Sequence, residues 1–312
     1  MFFSVNAEVR QIVYGVLDRR LPADRIEPLS VMDLILFLPH EGIETTGRRA
    51  ADIDALVARL AAAGILVEAG TTGSGLFERT YLVGTGIHTS QALGTLWITP
   101  VLGPELIVDT LMSNVAHITG TKEGEVLGGS GILLDDRHVL TAAHVVTDMH
   151  LDQELHLGGI PVGIVGGPIV HPEVDVAVIE LNVAGVAQAS RTQGLVFRDP
   201  GWADRVTLLG YPPIPTAREA SLTVQTGEVV NPDVSAFTGG RHFLFSAIAR
   251  PGNSGGPVVA TDGRLLGIVT REFSSETGKP SHPFFAGLPT GQLHEALSEL
   301  GLAAILPVEM WD

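Results

Sequence analysis

A chain of 312 residues, 45% of them hydrophobic and none of them cysteine, has the material for two domains whose stability rests on burial, with no disulfide to staple them. The formal net charge of −16, with Lys122 and Lys279 the sole lysines, argues against a nucleic-acid surface, which needs cations to meet phosphates. The lack of cysteine favours a reducing, cytoplasmic compartment. The first ten residues lack the basic stretch and apolar run of a signal peptide, and the densest apolar stretch, Val31 to Leu38, contains Asp33 and is too short to span a membrane.

Apolar residues at Val9, Ile12, Val13, Val16 and Leu17 are spaced for one helical face, predicting a helix over 7–21 that Pro22 ends. Ser30 with Asp33 three residues later predicts a capping box opening a helix that runs to about Leu38, before Pro39. Thr46 is placed to cap a third helix carrying Ile53, Leu56, Val57 and Leu60, with Gly64 as its C-terminal glycine. Strands follow at 65–67 and 79–83, joined by the glycine-rich turn 71–75. Three helices and a hairpin are similar to a winged-helix domain, so residues 1–85 are expected to be a small α+β module. Its eight arginines against eleven acidic residues leave a thin cationic footprint, with Arg48 and Arg49 at the start of the third helix. A regulatory or protein-interaction role is the expectation, in preference to DNA binding.

Residues 86–103 read as a linker with one short strand around Leu96-Trp97-Ile98, and 104–113 read as a helix. From Val115 onward, short apolar runs alternate with glycine and aspartate turns, at 131–134, 138–140, 161–165, 167–170 and 175–181, then at 205–210, 221–229, 242–248, 257–260 and 264–270. Many short strands at this spacing predict β-barrels. The tail, 291–300, reads as a closing helix that leans Leu293, Leu297 and Leu300 on the barrel before it.

The chemistry concentrates in residues 250–257, Arg-Pro-Gly-Asn-Ser-Gly-Gly-Pro. Glycines around Ser254 allow positive φ and close approach of a substrate. If the N–H groups of Gly252 and Ser254 converge, they form a hole for an oxyanion. A serine hydroxyl needs a base within reach. Of eleven histidines, His144 alone ends a run of the kind Val139-Leu140-Thr141-Ala142-Ala143, a buried strand leading into a turn. Asp175 precedes the apolar run Val176-Ala177-Val178-Ile179, where an unpaired carboxylate would be costly and a histidine partner would offset that cost.

Thr141-Ala142-Ala143-His144, Asp175 leading Val-Ala-Val-Ile, and Gly252-Asn253-Ser254-Gly255-Gly256-Pro257 occur in the order His, Asp, Ser. On these motifs the chain resembles the trypsin-like, chymotrypsin-fold serine proteases, and most of all the bacterial HtrA/DegP-like group. The resemblance covers about residues 104–301, roughly two thirds of the chain, within ordinary domain sizes. It implies a mainly β double barrel, with His144 and Asp175 on the first barrel and Ser254 on the second. It implies Ser254 as nucleophile, His144 as general base, Asp175 as the group holding the imidazole, and Gly252 and Ser254 as oxyanion donors. Residues 104–113 resemble the helix that opens HtrA-like domains. Thr270 matches the position that supports the acid and the substrate strand, so Val269, Thr270 and Arg271 are expected to bind substrate as an added strand.

Ile248 falls where trypsin-like enzymes place a pocket-floor aspartate, which with Ala247 and Ala249 implies a small or apolar side chain in the pocket. Arg250, Arg271 or His282 could instead meet an acidic one. Gly129 to Gly131 are expected to form the turn before the His-bearing strand. Asn253 stands where digestive relatives carry an aspartate that receives a freed N-terminus, which puts that activation route in doubt. No PDZ-like domain is expected after the protease region. No cofactor and no metal are expected; the partners are a protein or peptide substrate and a regulatory partner for residues 1–85. Two other readings remain at this level: a catalytically silent peptide-binding barrel, and a DNA-binding regulator with an attached protease.

Overall fold

Asn6 starts the first element of the computed structural model. Its side-chain oxygen accepts the N–H groups of Glu8 and Val9, capping α1 (Ala7–Val16). The helix stops short of the predicted Leu21 because Asp18 turns to φ 51°, in the left-handed region. β1 (Leu29–Ser30) leads into α2 (Val31–Phe37), opened by the expected capping box: Ser30 and Asp33 exchange hydrogen bonds with each other's backbone N–H. α3 (Arg48–Ala62) is capped by Gly47 without a side-chain bond, not by Thr46, whose hydroxyl is engaged with Glu44. Gly64, at φ 74°, turns the chain into the hairpin of β2 (Leu66–Thr71) and β3 (Arg79–Val83). The three strands order as β1-β3-β2, over a core that includes Phe3, Tyr14, Val31 and Tyr81.

The structure describes residues 2–84, 93–189, 194–236, 240–270 and 284–308. The chain divides into two units, 1–87 and 88–312. Residues 96–98, expected as a strand within a linker, form a single 3-10 turn, followed by α4 (Thr99–Leu102). The Thr99 hydroxyl donates to the Leu96 carbonyl and closes that turn. Leu96 is fully buried in the core of the second unit, so this stretch packs as part of it.

α5 (Glu105–Leu111) buries Ile107 and Leu111 and leaves Met112 half exposed. β4 (Val115–Lys122), β5 (Glu125–Leu133) and β6 (His138–Thr141) form consecutive antiparallel pairs. α6 (Ala143–Thr147), β7 (His150–Leu151), β8 (Glu154–Leu157), β9 (Ile160–Gly163), β10 (Ile169–Val170), β11 (Ala177–Glu180) and α7 (Val183–Ala189) follow. These strands make one sheet, in the order β10-β11-β6-β5-β4-β8-β9 with β7 beside β4. A bridge between Ile164 and Leu181 joins its far end back to β11's side. The sheet curls around Ala116, Ile118, Leu155 and Ile179.

The second series, β12 (Arg205–Gly210), β13 (Thr223–Ser235), β14 (Arg241–Phe245), β15 (Pro257–Ala260), β16 (Leu265–Val269) and β17 (Phe285–Pro289), closes completely, in the order β12-β13-β14-β17-β16-β15. Closure removes the exposed strand edges. α8 (Thr290–Glu299) ends the series, with Leu293 and Leu297 buried. The result is a trypsin-like double barrel with one barrel closed. Residues 129–131, expected as a turn, lie inside β5. Their small size answers to packing there: a Cβ at Gly129 would meet Val145 Cγ1 at 2.5 Å, and one at Gly131 would meet the Leu140 carbonyl at 2.9 Å.

Candidate active site

The site starts from one strand pair. β6 ends at Thr141 and β11 starts at Ala177, and these two residues are register partners. His144, three residues past one end, and Asp175, two residues before the other, therefore leave the sheet at the same place. His144 is held in the first turn of α6, after Ala142 in extended conformation. Asp175 Oδ1 accepts the backbone N–H of His144 at 2.9 Å, and His144 Nδ1 lies 3.0 Å from Oδ1 and 2.8 Å from Oδ2. The carboxylate can only accept, so Nδ1 carries a proton and Nε2 is left as the basic nitrogen. The Thr270 hydroxyl donates to Asp175 Oδ2 from the second barrel. Burial pushes the Asp175 carboxyl up, but the hydrogen bonds and charge of His144, with the Thr270 bond, outweigh it and hold the carboxyl below its ordinary range. His242 on β14 also feels this charge: burial lowers its pKa, and Asp175 pulls the other way.

Ser254 arrives from the second barrel on a turn closed by the Asn253 N–H donating to the Arg250 carbonyl at 2.9 Å. Pro251 and Gly252 occupy the two central positions, with Gly252 at φ 95°, the pattern of a type II turn. Gly252 is confined: a Cβ there would lie 2.7 Å from both Pro212 Cα and the Tyr211 carbonyl. Gly255, at φ 80°, is tighter still, with a virtual Cβ 2.2 Å from the Ser130 carbonyl and from Thr141 Oγ1 and 2.9 Å from the Ala142 N. The turn that presents Ser254 thus abuts the residues leading into His144. Among the described residues, the N–H groups of Gly252 and Ser254 donate to no backbone carbonyl, whereas those of Asn253, Gly255 and Gly256 do.

The expected substrate contacts separate. Ile248 is 48% exposed, on the stretch after β14, beside the buried Ala247. Thr270 donates its backbone N–H to the Ala286 carbonyl and its hydroxyl to Asp175, so it holds the Asp175 carboxylate directly. Val269 does not have the expected role. Its side chain is in the barrel core, its N–H donates to Gly256 and its carbonyl accepts from Gly255, so it braces the Ser254 turn rather than offering an edge to substrate. Arg271 and His282 lie outside the described residues.

Sequence reasoning passed over His171. Its side chain is 2% exposed, and its Nδ1 accepts the N–H groups of Glu173 and Val174 at 3.2 and 2.9 Å, shaping the loop that delivers Asp175. Its Nε2–H then donates to Glu299 on α8 at 3.0 Å. The His-Pro order was the available signal: an acceptor side chain followed by proline and two free N–H groups makes a local turn. Among the described residues no group of three or more metal-ligating side chains occurs, and no helix is long and apolar enough to cross a membrane.

Residues 129–268 match the family model described as "Trypsin-like peptidase domain". No curated protein sequence matches this chain. Among solved structures, the chain is similar to the active form of the Rv3671c protease from M. tuberculosis, at 21% identity over 63% of this chain and 84% of that one, with a TM-score of 0.49. It is also similar to the serine endoprotease from Yersinia pestis, at 20% identity over 63% and 65% of the two chains, with a TM-score of 0.48. A third is the HtrA-type protease AlgW with a tripeptide, at 24% identity over 63% and 64%, with a TM-score of 0.48. The match assigns residues 129–268, within the second unit, to a trypsin-like peptidase domain.

Proposed function

We propose that the trypsin-like peptidase domain of this chain hydrolyses peptide bonds through Ser254, His144 and Asp175, by way of an acyl-enzyme. The observation that carries this reading is the Asp175 carboxylate, which takes both the ring Nδ1–H and the backbone N–H of His144. That leaves Nε2 free to accept a proton, and the Gly255 end of the Ser254 turn packs against Thr141 and Ala142, which lead into His144. As Ser254 Oγ attacks the substrate carbonyl carbon, His144 Nε2 takes the hydroxyl proton. The carbonyl electron pair moves to oxygen, where the Gly252 and Ser254 N–H groups receive the charge. His144 then gives its proton to the departing amine as the C–N bond breaks. Water repeats the sequence on the acyl-enzyme and releases the acid. Asp175 fixes the imidazole tautomer and stabilises the imidazolium at each step. The exposed apolar Ile248 at the expected pocket supports a small or apolar side chain before the scissile bond.

The same reading assigns residues 1–85 to control. The order α1-β1-α2-α3-β2-β3, with sheet order β1-β3-β2, supports a winged-helix module. Its acidic balance favours a protein partner over DNA. The absence of cysteine supports an intracellular setting.

Labelling with a fluorophosphonate probe tests the proposal. Full-length protein should label, Ser254→Ala should not, and a form starting at residue 93 should label faster if the first unit restrains the second. Equal labelling of wild type and Ser254→Ala would sink the nucleophile assignment. An unreactive wild type and an unreactive short form would favour a silent peptide-binding barrel.

A further inference from the structure

Ser130 is fully buried in β5 of the first barrel, and the reaction above makes no use of it. Its polar atoms nevertheless point at the nucleophile turn. Its N–H donates to the Ser254 carbonyl at 2.8 Å. Its Oγ lies 2.8 Å from the Tyr211 N–H and 2.7 Å from the Gly252 carbonyl. The direction of these two bonds is fixed by chemistry. The Tyr211 N–H can only donate, so the hydroxyl oxygen accepts it, and the single hydroxyl proton goes to the Gly252 carbonyl. The Ser130 carbonyl in turn accepts the Thr141 hydroxyl at 2.7 Å, tying the arrangement to the strand that leads to His144.

These bonds alternate with the oxyanion donors along the chain. The Gly252–Asn253 peptide is pinned by its carbonyl to Ser130 and by its N–H to Arg250. The Ser254–Gly255 peptide is pinned by its carbonyl to Ser130 and by its N–H to Val269. The two peptides whose N–H groups face the oxyanion, Pro251–Gly252 and Asn253–Ser254, are neighbours of these pinned ones. The Asn253–Ser254 peptide is also held by its own carbonyl, which accepts the Gly256 N–H at 2.9 Å, so the Pro251–Gly252 peptide is the one that cannot turn over without breaking the Ser130-pinned neighbour or straining the Cα between them. The glycines around Ser130 allow it this close: a Cβ at Gly210 would lie 2.9 Å from Ser130 Oγ, and one at Gly256 would lie 3.3 Å from Ser130 Cβ.

We propose that Ser130 is a positioning residue for catalysis, reaching from the first barrel to hold the 252–254 turn so that the Gly252 and Ser254 N–H groups converge on the oxyanion. The proposal rests on the Ser254 nucleophile reading. It also accounts for how the turn is kept in shape with the neutral Asn253 in the position before the serine: the hold comes from a residue already in the folded chain, and no newly cut terminus has to arrive.

The test separates oxyanion formation from nucleophile activation. The chain has no cysteine, so Ser254→Cys introduces a single thiol. Acylation of that thiol by p-nitrophenyl acetate forms an oxyanion, whereas alkylation by iodoacetamide displaces iodide from a saturated carbon and forms none. Adding Ser130→Ala should slow acylation by about 10-fold or more, below the ~10²–10³ seen when an oxyanion donor is removed outright. Alkylation should stay within about twofold, since it needs only the thiol and His144. In the native serine background, Ser130→Ala should lower kcat on fluorescent casein and leave KM unchanged. If Ser130→Ala does not fold, Ser130→Cys in that background keeps the shape of the side chain, slightly enlarged, with a weaker donor, and the same fall in kcat is expected. Acylation and alkylation that fall together, or that both stay unchanged, overturn the proposal. A thiol whose alkylation is indifferent to His144→Ala removes the nucleophile–base reading, and this proposal with it.

Discussion

Replacing Asp175 by asparagine changes one oxygen for an amide and tests the arrangement most sharply. The structure dictates how the amide must lie. The His144 backbone N–H, 2.9 Å from Oδ1, is a fixed donor and can be met only by the remaining oxygen. The NH₂ group then occupies the Oδ2 position, 2.8 Å from His144 Nδ1 and within reach of the Thr270 hydroxyl, which can rotate to accept. The amide donates to Nδ1, the ring proton moves to Nε2, and the nitrogen that should take the Ser254 proton can no longer accept one. The backbone bond, one bond to Nδ1 and a reversed bond to Thr270 are kept, the Nδ1–H to Oδ1 contact at 3.0 Å is lost, and catalysis fails. Loss of the correct tautomer costs about 10⁴ in kcat, or about 5 kcal/mol of barrier at ~1.4 kcal/mol per factor of ten. The assay is the second-order rate of fluorophosphonate labelling, beside thermal melting to show that the fold persists. The acid limb of stability carries a second reading. The Asp175 carboxyl lies below its unfolded value, so its contribution is complete above that value and is lost as pH falls through the folded one. Asp175→Asn should therefore flatten the loss of stability toward low pH. Labelling within tenfold of wild type would refute the tautomer argument.

Thr270→Val removes the hydroxyl from Asp175 Oδ2 while keeping the shape, and should cost about tenfold in labelling rate, near the ~1.5–3 kcal/mol typical of a bond to a charged group; unchanged labelling would show that the bond is idle. Gly255→Ala must adopt φ 80° and drive its methyl toward the Ser130 carbonyl and Thr141. Left-handed strain of ~1–2 kcal/mol and overpacking of ~1–3 kcal/mol predict a clearly lowered melting temperature and a larger loss of labelling, read by calorimetry and probe. His171→Ala strands the N–H groups of Glu173 and Val174 and should cost about 2–4 kcal/mol, whereas Glu299→Ala, at an exposed partner, should cost ~1 kcal/mol or less; equal losses in urea unfolding would contradict this division. Ser30→Ala opens the α2 capping box and should destabilise the first unit by ~0.5–2 kcal/mol, seen as faster amide exchange in α2.

What could be read from the sequence follows physical range. The capping box at Ser30 and Asp33, the C-terminal glycine at 64, and the positive φ of the glycines around Ser254 are decided by atoms a few residues apart, and they were legible. The double barrel was legible too, because alternation and turn chemistry repeat over its whole length. Residues 96–98 read as a strand because Leu-Trp-Ile has strand composition, but the Thr99 hydroxyl on the Leu96 carbonyl and burial against the second unit's core decide for a helical turn. Val269 read as a substrate contact from its place before Thr270; that both its backbone groups are taken by the nucleophile turn is a fact of the closed barrel. The tie from His171 to Glu299 spans 128 residues and that from Ser130 to Gly252 spans 122, so neither long-range bond was legible, although the local turn that His171 makes with Glu173 and Val174 lay within reach of its His-Pro signal.

Those long-range partners bear on how the site can be perturbed. Each loop that carries a proposed catalytic residue is tied to the barrel it does not belong to. Asp175, delivered by the first barrel, is held by Thr270 of the second. Its loop is also fastened through His171 to Glu299 of the closing helix. The Ser254 turn, delivered by the second barrel, is held by Ser130 of the first. Neither barrel alone therefore defines the distance from nucleophile to base, and a small slide of one barrel on the other would strain all three ties together. Packed interfaces of this kind switch between arrangements more readily than they deform. A substitution that loosens the seam at any one tie should lower the labelling rate more than it lowers the melting temperature, because alignment fails before burial does. Mutants at Ser130, Thr270 and His171 ranked by both measurements should fall on one such trend, and a set in which rate loss simply follows stability loss would show that the ties hold the fold and not the chemistry.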